Sequence, residues 1–217
     1  MSKLNVNAIE PSTGTDITLG ASGDTITVPS GATFTQSGTM NASAITAGTL
    51  ATARGGTGTT SYTAGITEAD TWRITASFDG SADPITANWE RDDSYGNGLL
   101  GTGMSESSGI FSFPSTGFWT VTTYSLCNGI GDTDNYPGLF TYYTPDNSDW
   151  SAIATNGYGY VIVGSYNGNV TEKIFDITDV SNQKVRFRTE TQRTTTRWTG
   201  NTNINHNYVV FVRLGDT

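Results

Sequence analysis

An all-β fold is predicted by three features of this 217-residue chain. The good helix formers Leu, Lys, Glu and Gln are scarce. Threonine and aromatic residues, which suit pleated and half-buried strands, recur throughout. The 26 glycines punctuate them at short intervals, as tight turns require. The full expectation is an extended N-terminal stalk or anchor followed by an antiparallel sandwich, associated as a homotrimer.

Residues 1–65 have a composition of their own. Of the five Trp, ten Tyr and nine Phe, only Phe34 and Tyr62 precede residue 66, so this region cannot bury a core alone. It reads as short alternating pieces, Asp16-Ile-Thr-Leu-Gly20 and then Asp24-Thr-Ile-Thr-Val28. Ile17 and Leu19 recur nine residues later as Ile26 and Val28. One face is apolar and the other is threonine. Such a ribbon is only marginally stable by itself. Either it is disordered or its thin apolar edge is covered, and the regular spacing favours cover by copies of itself or by another protein. Ile17, Leu19, Ile26 and Val28 are therefore candidate trimer-interface residues. The stretch 40–60 holds only Ile45 and Leu50 as larger branched apolar anchors; alone it reads as a flexible linker.

Residues 66–217 read as one compact domain. Strands are expected over 71–78, 85–91, 109–114, 117–126, 139–144, 159–164, 170–177, 184–191 and 203–214. Turn pairs such as Asp79-Gly80 and Asn167-Gly168 separate several of them. Regular short strands with such breaks indicate a sandwich or jelly roll. The segment 184–190 alternates strictly, so one of its faces meets water. The runs 158–163 and 208–212 are apolar on both faces. Either they are crowded inner strands or their outer faces meet another subunit. That makes Tyr160, Ile162, Tyr208 and Val210 further interface candidates.

Charge and cysteine use narrow the function classes. Net charge is −9 with only 11 Lys and Arg, which argues against nucleic acid, whose binding depends on neutralising phosphates. No stretch approaches the roughly 18 apolar residues of a membrane span, so no membrane insertion is expected. The opening residues lack the apolar core of a signal peptide, which implies synthesis in a cytoplasm. Cys127 is the single cysteine, and a buried structural thiol is its expected role.

Catalytic material is thin. His206 is the only histidine. One His and one Cys far apart cannot make a zinc site, and no Gly-x-Ser-x-Gly elbow supplies a nucleophile. Gly96-Asn-Gly-Leu-Leu-Gly101 fits G-x-G-x-x-G, but a dinucleotide site needs a βαβ frame that the β context denies. Gly131-Asp-Thr-Asp-Asn135 offers oxygens to calcium without EF-hand spacing. No enzyme activity, metal or cofactor is expected. The better lead is the loop-rich stretch 128–150. There Tyr136, Tyr142, Tyr143 and Trp150, with Asp134, offer rings for sugars to stack on and oxygens for their edges. The competing reading places these rings in the core or a subunit interface.

Two segments carry resemblances. Gly109-Ile-Phe-Ser-Phe-Pro-Ser-Thr-Gly-Phe-Trp-Thr-Val121 resembles the G-x-F-x-x-P-x-x-G-x-Y-x-V segment of C1q/TNF-like jelly rolls, with Phe118-Trp119 where that family has tyrosine. The ending Asn207-Tyr-Val-Val-Phe-Val-Arg-Leu-Gly215 is similar to the last strand of the same family. This resemblance implies an obligate trimer packed about a threefold axis. Ala44-Ile-Thr-Ala-Gly-Thr-Leu-Ala-Thr-Ala-Arg-Gly-Gly-Thr-Gly58 resembles the SGTLPxARGGTG element of bacteriophage tail fibres, without its proline. Ser2-Lys-Leu-Asn-Val-Asn-Ala-Ile-Glu-Pro-Ser-Thr-Gly14 is similar to the openings of many phage structural proteins. Together they imply a non-enzymatic virion protein made in a bacterial host. It would be a trimeric tail fibre or receptor-binding appendage, with other virion proteins held by residues 1–65 and a host surface glycan met by residues 66–217. The alternative is a capsid decoration protein. A capsule-degrading enzyme is a distant third.

Overall fold

The computed structural model describes residues 13, 23–25, 27–33, 35, 65–155 and 159–217. The chain divides into two compact units, Met1–Tyr62 and Thr63–Thr217. Ile17, Leu19, Ile26 and the segment 40–60 lie outside the described residues. In the first unit Val28 is exposed, and Ala32 N donates to Pro29 O (3.0 Å) across the turn at Ser30 and Gly31.

Among the described residues the second unit holds strands and no helix. In chain order they are β1 (Ala69–Ile74), β2 (Phe78–Asp79), β3 (Trp89–Arg91), β4 (Ser105–Ser107), β5 (Ile110–Ser112), β6 (Gly117–Gly129), β7 (Gly138–Thr144), β8 (Ser151–Thr155), β9 (Tyr166–Ile177), β10 (Lys184–Glu190), β11 (Thr196–Trp198) and β12 (Tyr208–Gly215). One sheet runs β2-β11-β6-β12-β1-β3, with β9 also paired to β6; the other runs β4-β5-β10-β7-β8. All these strand pairings are antiparallel. Eight of the strands, β1-β12-β6-β9 against β5-β10-β7-β8, have the interleaved order of a jelly roll.

The alternation of side chains builds the core. Along β6, Trp119, Val121 and Cys127 point inward and are buried, while Phe118, Thr120, Thr122 and Tyr124 point outward. Phe111 sits at the centre, with Trp72, Trp89, Phe187 and Phe211 at centroid distances of 5.5, 5.0, 5.4 and 5.4 Å. Two glycines explain the sequence pattern around this ring. Ser108 and Gly109 both have positive φ and close a two-residue hairpin between β4 and β5, and a Cβ on Gly109 would lie 2.3 Å from Ile85 O. Gly117 has φ 135°, and a Cβ there would lie 2.4 Å from Gly215 O.

Strand β6 is long enough to serve two neighbours on one edge. It pairs with β12 as far as Tyr124↔Tyr208 and with β11 from Cys127↔Trp198. The Asn207 side chain fills the gap. Its Oδ1 accepts from Leu126 N (2.9 Å), and its Nδ2 donates to Leu126 O (2.7 Å) and Thr199 O (2.8 Å). Asn207→Ala leaves these groups without their amide partner, and we expect a loss of about 1–3 kcal/mol, read as a lower urea midpoint with unchanged slope.

Arg73 lies on the outer side of β1, opposite Tyr208, yet is only 1% exposed. The chain after β3 folds over it. Arg73 donates to Asp92 Oδ1 (2.6 Å) and Ser94 Oγ (2.7 Å) and pairs with Glu90 (3.1 Å). Asp92 also accepts from Asn97 (2.8 Å) and Asn205 (2.5 Å). Burial pushes the Asp92 carboxyl up, but the bonds from Asn205, Ser94 and Asn97 and the Arg73 charge outweigh it, and its pKa is lowered.

The expected strand over 159–164 is corrected. Only Val161 is buried there, bridged to Asp134, and Gly164 has positive φ. Ser165 Oγ accepts from Ile162 N (2.9 Å), and Ser165 N donates to Ile162 O (3.0 Å), so local turn chemistry replaces a ladder.

Candidate functional site

Burial, and then the Asp134 charge, push the Cys127 thiol up to about 12, which leaves it protonated and a poor nucleophile at neutral pH. Gly96 and Gly101 lie in the loop between β3 and β4, where no helix follows to hold a phosphate. Among the described residues no three His, Cys, Asp or Glu side chains converge as a metal site requires.

The five residues expected to meet a sugar do not form one site. Asp134 is fully buried. It accepts from Thr196 Oγ1 (2.7 Å), Tyr136 N (3.0 Å) and Arg193 N (3.2 Å). Burial raises its pKa, these bonds and one from the Gln192 backbone lower it, and the net direction is down. It pins the 131–136 loop to the segment before β11, and its burial in the single chain leaves none of its carboxylate oxygens at the surface there. Tyr143 turns inward as well: its ring packs 5.4 Å from Phe175, and its hydroxyl accepts from Gln183 Nε2 (2.7 Å). Ordinary strand alternation puts the two adjacent tyrosines on opposite faces of β7. Tyr136 is half exposed and lines a shallow cavity of about 310 Å³ with Glu190, Thr191 and Gln192. Tyr142 and Trp150 alone come together, on the outer face of the five-stranded sheet. There the Arg186 guanidinium lies 5.3 and 4.5 Å from their ring centroids.

The outer face of the other sheet is the larger feature. Tyr208 and Val210 lie on it, and the Tyr208 ring stacks on Tyr124 (4.3 Å, 3°). Beside them on β9, which pairs only with β6, stand Val170 (56% exposed) and Ile174 (59% exposed), opposite Tyr124 and Thr120. Phe118 and Leu214 extend the exposed apolar surface at the other end. Glu172, between Val170 and Ile174, accepts a bond from Thr122 Oγ1 (3.1 Å). Tyr160 and Ile162 are exposed on the irregular segment before β9. Val170 and Ile174 were not singled out in the sequence, although they lie four residues apart on one side of a strand. Lys184, Arg186 and Arg188 were read only as the wet side of β10.

No protein-family model matches the chain, and no curated protein sequence matches it. Among solved structures it is similar to murine APRIL at pH 5.0, with 10% identity, 68% of this chain and 98% of that chain covered, and a TM-score of 0.49. It is also similar to Eiger TNF from S. frugiperda, with 11% identity, 69% and 93% covered, and a TM-score of 0.49.

Proposed function

We infer that this chain is a non-enzymatic, homotrimeric structural protein of a bacteriophage surface, either a tail fibre or a receptor-binding appendage. The observation that carries the reading is the apolar outer face of β9, β6 and β12. Several large apolar side chains exposed together on one sheet face mark an interaction site. Self-association also protects an edge strand such as β9 from indiscriminate pairing. Three copies are expected from the resemblance of 109–121 to C1q/TNF-like jelly rolls, and a phage context from the tail-fibre-like element at 44–58. In this reading residues 1–65 attach the trimer to other virion proteins, and the jelly roll is displayed outward.

A capsid decoration is the second reading. It shares the same apolar sheet face and differs in where residues 1–65 attach. Sedimentation equilibrium of the full chain should give three times the chain mass, and a folded, protease-resistant monomer would end the proposal. Labelled antibody on particles then separates the readings, since a few trimers mean a tail and hundreds mean a shell.

A further inference from the structure

We propose that the outer face of the five-stranded sheet, around Lys184, Arg186 and Trp150, binds a polysaccharide bearing carboxylate groups. The inference rests on the virion-surface reading and names the class of ligand that surface meets.

The register sets out two rows across the sheet. In one, Tyr142, Arg186, Ile110 and Ser107 stand side by side on four adjacent strands; in the next come Lys184, Ser112 and Ser105. Val185 and Phe187 are buried, so Lys184, Arg186 and Arg188 all project to the opposite side. Three of the 11 Lys and Arg of a chain with net charge −9 are thus gathered on one strand face.

These three cations are unequally neutralised. Arg188 is tied to Glu190 (3.2 Å), Asp83 (3.6 Å) and the Tyr142 hydroxyl (2.9 Å). Arg186 has one long contact to Asp83 (3.5 Å), and its Nε is buried without a hydrogen-bond partner. Lys184 has no ion pair among the described residues and lines a cavity of about 430 Å³ with Ser105, Ser107, Ser112, Ile110 and Asn147. Glu106 also borders this cavity, but its Oε1 is engaged by Gly109 N (2.6 Å).

A uronic-acid ring presents three chemistries, and this surface has a counterpart to each. Its apolar ring face suits Ile110 and Trp150, its hydroxyls suit the serines and Asn147, and its carboxylate suits Lys184 and Arg186. Charge-assisted bonds from guanidinium to carboxylate are the strong ones in such a set. The rings of Tyr142 and Trp150 beside Arg186 restrict the guanidinium before any ligand arrives, which lowers the ordering cost of binding.

The test is titration calorimetry of the full chain with three probes: alginate, a polyuronate; dextran, a neutral glucan; and inorganic polyphosphate. We expect alginate to bind, dextran not to bind, and added salt to weaken the alginate complex. K184Q and R186Q should each weaken alginate binding about tenfold or more. K184Q removes no ion pair, so its melting temperature should match wild type, and it decides the matter if R186Q folds poorly. Absence of alginate binding overturns the proposal, as does equal binding of dextran or an unchanged affinity in K184Q. Polyphosphate binding as tightly as alginate would also overturn it, by showing a surface for anions in general. Detection on particles without alginate binding sinks this inference alone, whereas alginate binding by a protein missing from particles sinks the virion reading alone.

Discussion

Asp92→Ala is expected to cost the jelly roll about 3–5 kcal/mol, a large share of the roughly 5–15 kcal/mol that holds a domain folded. Its carboxylate is fully buried against Arg73, whose side chain is 1% exposed. Removing it leaves a guanidinium in a poorly solvated place. Glu90 (38% exposed) and Asp93 (79% exposed) approach Arg73 from the solvent side and are screened by water. Asn97 and Asn205 lose their acceptor as well. Urea denaturation of wild type and variant measures the difference, and a loss under about 1 kcal/mol would show that Glu90 is counter-ion enough.

Asp92 and Asp134 are the two buried members of a set of aspartates, with Asp79, Asp146 and Asp179, that make the fold sensitive to acid. Asp92 and Asp134 are both held below the ordinary carboxylate value of 3.8, so the unfolded chain takes up protons first as pH falls. Their contribution is complete above about pH 5 and drains away as pH drops through 3.8 toward the folded values. Wild type should therefore lose stability steeply in that window, and Asp92→Ala, already lacking one of the two groups, should lose it less steeply.

Joint replacement of Val170 and Ile174 by aspartate is expected to convert the proposed trimer to monomer. Both side chains face water in the single subunit, so the change should move subunit stability by no more than about 0.5 kcal/mol each. In an assembly that covers this face, each chain would instead bury two unpaired carboxylates, at several kcal/mol apiece. Sedimentation velocity should show the lighter species, with a circular dichroism spectrum like that of wild type. A double variant that remains trimeric would place the subunit contact elsewhere.

Strict alternation was the most legible signal. The expected strand over 117–126 became β6, extended to Gly129, and 184–191 became β10. The two-sided apolar run 208–212 has Val209 and Phe211 inside and Tyr208, Val210 and Val212 outside. Strands without such a pattern were missed. Ser151–Thr155 is Ser-Ala-Ile-Ala-Thr, half exposed on an edge, and Ser105–Ser107 and Thr196–Trp198 are only three residues each. The run 159–164 misled because its hydrophobicity looked like a strand while its glycines and Ser165 dictated a turn. Among the candidate glycan residues, strand alternation alone turns Tyr143 inward and leaves Tyr142 out, so these two neighbours cannot share one face. The Asp92 and Asp134 networks were equally unreadable, since Asn205 reaches the first, and Arg193 and Thr196 the second, from far along the chain.

The position of β12 has a consequence for synthesis. Tyr208–Gly215 lies between two inner strands, β1 and β6, though it is the last of these twelve strands to leave the ribosome. Until it emerges, Ala69–Ile74 and the first half of Gly117–Gly129 have no common neighbour, and Leu126 waits for the Asn207 amide. Closure is thus a late event dominated by contacts remote along the chain, the kind that makes β proteins slow to mature. A nascent chain stopped short of these residues has no finished outer surface, so in the proposed trimer the subunits would pair only after the jelly roll has been translated.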